Sequence, residues 1–245
     1  MELMRIRGIP LRVHSSWFLI LALFTWSAQG QIDRVMENSL PVLLSWGLGL
    51  VTALLLFVSV LLHELGHSFA ALNEGVKVRS ITLFLLGGVA RVERECSTPM
   101  GALRVAAAGP LVSFLLALIL LSGVQSALDV SPLLANMVRQ LGSINLVLAL
   151  FNLIPGLPLD GGLILKALVW KWTGNRRKGV QVATATGRFL SLFAIVFGIW
   201  LCFTGAAVGG LWFVLIGWFG LSASRSQSQM LALQQILCEL TVSNN

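Results

Sequence analysis

The sequence predicts an all-α polytopic membrane protein, with six transmembrane helices and a small β-hairpin or sheet at the cytoplasmic side. Three observations carry this expectation. Of 245 residues, 56% are hydrophobic and 11% charged, against about 25% charged in a soluble domain. The apolar residues fall in long blocks, and several are long enough for the about 20 residues that cross a bilayer. Lysine and arginine collect on one side of the resulting topology, as the positive-inside bias requires. The length suits one membrane domain, expected over 1–224, followed by a tail over 225–245.

The elements follow in order. Residues 1–12 are short, basic and contain Gly8 and Pro10, which reads as a cytoplasmic lead-in. The first span is placed at 13–28, its apolar stretch bounded by tryptophans. A cleaved signal peptide is the alternative, although an A-x-A-like exit is missing. The second and longest run, 41–72, can span and still project into water. Val78–Val92 reads VRSITLFLLGGVARV. Its β-branched residues and the Gly87-Gly88 pair predict strand, turn, strand.

A third span covers 101–123, with Gly109-Pro110 inside it. The fourth, 133–172, is broken: Pro155, Gly156, Pro158, Gly161 and Gly162 fall within eight residues, and proline interrupts a helix. Irregular backbone at membrane depth is tolerated where protein or a watery cavity satisfies its polar groups, so this stretch is expected to line a site. Spans at 180–204 and 208–224 complete the set. The tail carries a weak amphipathic pattern at Leu233, Ile236, Leu237 and Leu240.

With a cytoplasmic N-terminus, fifteen of the seventeen lysines and arginines lie on the cytoplasmic side, and Arg34 and Arg139 fall outside. That bias accounts for the net charge of +7 and removes the reason to invoke a nucleic acid. The protein is therefore expected in the cell (inner) membrane with both termini cytoplasmic. Cys96, Cys202 and Cys238 form no CxxC pair, which argues against a cysteine zinc site and a disulfide framework.

The chemistry is concentrated in His63-Glu64-Leu65-Gly66-His67, at the end of the second run. Ionisable groups are costly in hydrocarbon, so such a cluster marks a functional site. The spacing is that of HExxH: two imidazoles one helical turn apart can bind one metal, with the glutamate as base. A catalytic zinc takes three protein ligands and keeps a position for water. Asp160, in the broken segment, has the best claim to be the third ligand. Glu64 is placed to take a proton from water and return it to a leaving amine. His14, at the start of the first helix, reads as interfacial.

With these residues the chain resembles the site-2 proteases, polytopic zinc metalloproteases that cut transmembrane substrates within the membrane. The likeness runs over nearly the whole sequence. It is carried by His63-Glu64-Leu65-Gly66-His67, the Gly87-Gly88 hairpin, Ala108-Gly109-Pro110, and Asn152-x-x-Pro155-x-x-Pro158-Leu159-Asp160-Gly161-Gly162. The opening Gly8-Ile9-Pro10-Leu11-Arg12-Val13-His14 is similar to bacterial members. The resemblance implies one zinc ion held by His63, His67 and Asp160, with Glu64 as general base. Asn152 would contact substrate or the developing oxyanion; the alternative is a helix-end cap. Substrates would be single-span proteins such as anti-sigma factors or other membrane-tethered regulators.

Two positions depart from the family pattern. Ser113 stands where an asparagine often follows Ala-Gly-Pro, and Leu163 stands where arginine often follows Asp-Gly-Gly. Leu240-Thr241-Val242 is similar to the lead-in to a pair of CBS domains, so the tail is a candidate linker to such a module.

An extended substrate is expected to add to the edge of the 78–92 hairpin. The glycine pair permits either a tight turn or a close backbone approach. The alternative for the hairpin is a cover over the cytoplasmic entrance. From another functional class, a zinc or divalent-metal permease would also place His and Asp in broken helices. Transit gives Glu64 no necessary role, however, and no second acidic or histidine cluster follows along the other spans.

Overall fold

The computed structural model describes residues 2–6, 8–37, 39–84 and 87–222. The chain forms two compact units, Met1–Asn152 and Leu153–Asn245. The first holds β1 (Glu2–Ile6), β2 (Ile9–Val13), α1 (Ser16–Val35), α2 (Val42–Asn73), β3 (Val78–Phe84), β4 (Gly87–Val92), α3 (Pro99–Ser122), α4 (Val124–Val130) and α5 (Pro132–Asn152). The second holds α6 (Asp160–Thr173), α7 (Arg176–Phe203) and α8 (Ala207–Ser222).

The strands form one sheet in the order β1-β2-β3-β4. The outer pairings are antiparallel, while β2 and β3 run parallel. Parallel neighbours need a crossover, which α1 and α2 supply. Residues 1–12, expected as a lead-in, therefore carry two strands. The signal was the alternation Ile9, Leu11, Val13: all three are buried, with Arg12 exposed between them. With Ile81, Leu83 and Leu65 they form one apolar core, flanked by Trp17, Val60, Leu61 and Phe69. Leu65 is the α2 residue in that core, so the sheet is seated on the His63–His67 turn.

The hairpin forms where expected, with a different use of its glycines. Phe84 pairs with Gly87 and Leu83 with Gly88, so both glycines belong to β4. β4 is an outer strand of the sheet.

Helix ends follow local chemistry. α2 begins after Pro41, and Gly75 at φ 73° turns the chain away from it. The Gly75 and Val76 amides donate to Leu72 and Ala71 carbonyls, closing the C-terminus as left-handed caps do. α3 opens on Thr98, whose Oγ1 accepts from the Gly101 amide, with Pro99 at its first turn. α7 opens on Asn175, whose Oδ1 accepts from the Arg177 and Lys178 amides.

Among the described residues, α2, α3, α5 and α7 are long and apolar enough to cross a membrane. Six spans were expected. The stretch placed at 13–28 is α1, whose second half carries Gln29, Gln31, Asp33 and Arg34. α8 has 16 residues, a length of about 24 Å. The expected spans over 41–72, 101–123 and 180–204 lie within one to four residues of α2, α3 and α7 at either end. The broken run over 133–172 resolves into α5, an irregular stretch and α6, and α4 was not foreseen. The tail over 225–245, with Cys238, lies outside the described residues.

Candidate metal centre

In the first unit α2 and α3 run antiparallel, and glycines set how closely they meet. A Cβ on Gly66 would lie 2.9 Å from the Ala108 carbonyl oxygen and 2.9 Å from Val112 Cγ2. A Cβ on Gly109 would clash with Nε2 of His67 and the two ring carbons bonded to it. Small residues let membrane helices approach closely, and here that approach brings α3 directly behind both imidazoles.

His63 Nδ1 lies 2.9 Å from Ser113 Oγ, and His67 Nδ1 lies 2.7 Å from the Val105 carbonyl oxygen. A carbonyl only accepts, so His67 carries its proton on Nδ1 and presents Nε2 as a lone pair. Val105, Gly109 and Ser113 are spaced by four, on one face of α3. That face gives a carbonyl to one ring, clearance to the same ring, and a hydroxyl to the other.

The two Nε2 atoms sit 3.3 Å apart, and the ring planes meet at 78°. Two nitrogens bound tetrahedrally at zinc distances are about 3.3–3.4 Å apart. The pair therefore fits zinc on geometry as well as on donor type. His63 is 4% exposed and Glu64 8%, so both are withdrawn from bulk solvent. Glu64 lies against Gly88 of β4: a Cβ there would overlap Glu64 Cγ. The absence of a side chain at Gly88 is the clearance that admits the glutamate. His14 stands apart from this group, exposed at the β2–α1 joint with Nδ1 2.9 Å from Ser16 Oγ.

Asn152 is the last residue of α5, and its Nδ2 donates to the Leu148 carbonyl at 3.0 Å. This bond stays within α5.

Asp160 belongs to the second unit. It is the first residue of α6, half-buried, with Leu159 extended before it. A carboxylate is favoured at the positive end of a helix. The glycines that follow serve packing. A Cβ on Gly161 would meet the Leu153 and Ile154 carbonyls, and one on Gly162 would meet the Gly156–Leu157 backbone. The first turn of α6 thus lies directly on the irregular stretch before it. Gly156 in turn abuts Gly187 of α7, and the Leu157 amide faces the Ala183 carbonyl.

Reasoning from sequence missed Ser113 as a partner of His63 and gave no function to Leu65 or Gly66. The available signal was the four-residue spacing of Val105, Gly109 and Ser113 in a helix otherwise nearly free of polar groups.

Comparison with known proteins decides the family. The model of peptidase family M50 matches residues 51–128 and 124–194. The chain belongs to peptidase family M50. Among M50 relatives, the Synechocystis protein sll0528 is 49% identical over 223 residues, covering 91% of this chain and 58% of its own length. Rip3 of Mycobacterium tuberculosis is 37% identical over 247 residues, covering 98% of this chain and 61% of its own. The chain thus spans about three-fifths of the length of these curated relatives. Among solved structures, the site-2 protease from Methanocaldococcus jannaschii aligns with TM-score 0.62 at 33% identity, covering 93% of this chain and 94% of that one. The M50 assignment and the apolar helices make this a mostly helical, multi-pass membrane protein.

Proposed function

We propose that this M50 member is a zinc-dependent intramembrane endopeptidase. It hydrolyses peptide bonds in or near transmembrane segments of single-span membrane proteins. The observation that carries this is the pair of Nε2 atoms 3.3 Å apart with the Glu64 carboxyl on the same helical turn. The names found in Methanocaldococcus jannaschii support it: zinc metalloprotease for MJ0392, 38% identical over 198 residues, and site-2 protease for the solved structure.

His63, His67 and Asp160 are assigned as the ligands of one zinc ion, since a catalytic site needs three from the protein. Zinc bound there supplies Lewis acidity, polarising a carbonyl and making a water acidic near neutral pH. Glu64 does the proton work. Its carboxylate accepts a proton from the attacking water and passes it to the departing amine nitrogen. Burial beside Gly88 holds that carboxyl in one place. Asn152 is assigned to the substrate carbonyl. An amide nitrogen has two hydrogens, so the Leu148 bond leaves capacity for a second acceptor. Gly87 and Gly88 are assigned to an extended substrate that adds to outer strand β4.

The membrane arrangement we propose has six spans, with α1 and α8 joining the four long apolar helices. Both termini and the site face the cytoplasmic side of the inner membrane, as the lysine and arginine bias supports. Residues 1–224 act as one protease domain, and 225–245 leads toward a regulatory module. Anti-sigma-factor-like or other membrane-tethered regulators are the substrate class. The permease reading is not favoured, because it gives the buried Glu64 no role, whereas hydrolysis uses it as the base.

The test is a pair of variants in proteoliposomes with a single-span model substrate. Glu64→Gln keeps zinc and loses cleavage; an undiminished rate removes Glu64 as the base. His67→Ala loses zinc by elemental analysis; unchanged zinc content removes it as a ligand.

A further inference from the structure

We infer that Ser113 is a positioning residue of the metal site, whose hydroxyl accepts the His63 Nδ1–H and so turns the Nε2 lone pair toward the ion. The inference rests on the zinc assignment above and deepens it.

The two imidazoles are held in chemically different ways. Behind His67 stands the Val105 carbonyl, an acceptor only, part of the backbone and beyond the reach of substitution. Behind His63 stands a side-chain hydroxyl, fully buried and 50 residues away in sequence. A hydroxyl both donates and accepts, so two arrangements are open to it. If Ser113 donated to His63 Nδ1, the ring proton would sit on Nε2, aimed at the other Nε2 only 3.3 Å away, and that nitrogen could not bind a metal. If Ser113 accepts, Nε2 is a lone pair and both nitrogens converge. A serine within a helix ordinarily sends its own proton to the carbonyl one turn back, which leaves the oxygen to accept. The 2.9 Å separation suits either direction; convergence of the two lone pairs selects one.

Packing alone does not explain a hydroxyl here. The contact joins α2 to α3 at Nδ1 of His63. An alanine would fill nearly the same volume and leave Nδ1 of a buried imidazole facing methyl.

The experiment compares zinc affinity of the full chain in detergent by chelator competition, together with the visible absorption of the cobalt(II)-loaded protein. Wild type, Ser113→Ala, Ser113→Thr and His67→Ala are measured, with thermal unfolding of each in the metal-free form. Loss of an outer partner of a ligating histidine weakens metal binding about 10–100-fold. Ser113→Ala is expected to weaken zinc by that factor and to shift the cobalt spectrum, with metal-free unfolding close to wild type. Ser113→Thr restores a hydroxyl and recovers both readouts. Wild-type affinity and an unchanged cobalt spectrum in Ser113→Ala overturn the inference. The zinc assignment still stands in that case if His67→Ala loses the metal. A wild-type chain that binds no zinc overturns both. Loss in Ser113→Ala that tracks a large drop in metal-free unfolding, with no threonine recovery, also overturns it, because the serine is then a packing residue.

Discussion

Each residue of His63-Glu64-Leu65-Gly66-His67 has a separate physical task. The histidines meet through Nε2, Glu64 fills a niche opened by Gly88, Leu65 enters the sheet core, and Gly66 admits the backbone of α3. The two clearance glycines separate binding from chemistry. Gly109→Ala sets a methyl against Nε2 of His67, and zinc affinity by chelator competition is expected to fall about 10–100-fold. Gly88→Ala displaces the Glu64 side chain instead. Cleavage of the model substrate is expected to fall about 10–100-fold, as for a misplaced catalytic group, with zinc content unchanged. A Gly88 variant that sheds zinc and a Gly109 variant that keeps it would reverse these tasks.

At the scale of elements, the sheet is the mount for the α2 turn that carries the motif. Leu11 of β2 is 4% exposed in the core that contains Leu65. Truncating such a leucine costs about 2–5 kcal/mol. Leu11→Ala is therefore expected to raise amide exchange along β2 and β3 and lower substrate affinity, while zinc content stays at the wild-type level. Unaltered exchange would show that the sheet does not depend on that core.

The same elements show what the sequence disclosed. Long apolar helices were legible because bilayer length and a run of hydrophobic residues leave few alternatives, and α2, α3 and α7 lie close to the stretches read for them. β1 and β2 were not, because five-residue strands give a weak periodic signal and β3, the partner that joins β2 to the rest of the sheet, lies some 70 residues on. Histidine spacing announced a metal pair. The carbonyl of Val105 has no letter of its own in a sequence, and Ser113 drew notice only as a departure from a pattern. The use of Gly88 depended on register: counted as a turn residue it has no side-chain neighbour, and placed in β4 it meets Glu64.

For the whole molecule, the membrane sets lengths. α2 has 32 residues and α7 has 28, about 48 and 42 Å at 1.5 Å per residue, against a hydrocarbon core of about 30 Å. His63 stands 21 residues after Val42, about 32 Å along α2, close to one face of the bilayer when Val42 is at the other. The proposed topology puts the basic end of α7 at Arg176–Lys178 and its apolar end at Phe203 on opposite faces. A cysteine replacing Arg177 is expected to react with an impermeant maleimide only from the cytoplasmic side. One replacing Thr204 is expected to react only from the outside. The opposite pattern would invert the proposed topology.

The hydrogen bonds to Nδ1 of both histidines carry one more consequence. The rings are braced from behind by a neighbouring helix, so their aim does not depend on what they grip. Stripping the ion with a strong chelator should leave these side chains cocked, and added zinc should restore cleavage at once, without a refolding lag. A slow, temperature-dependent recovery would mean instead that the cation builds its own cradle.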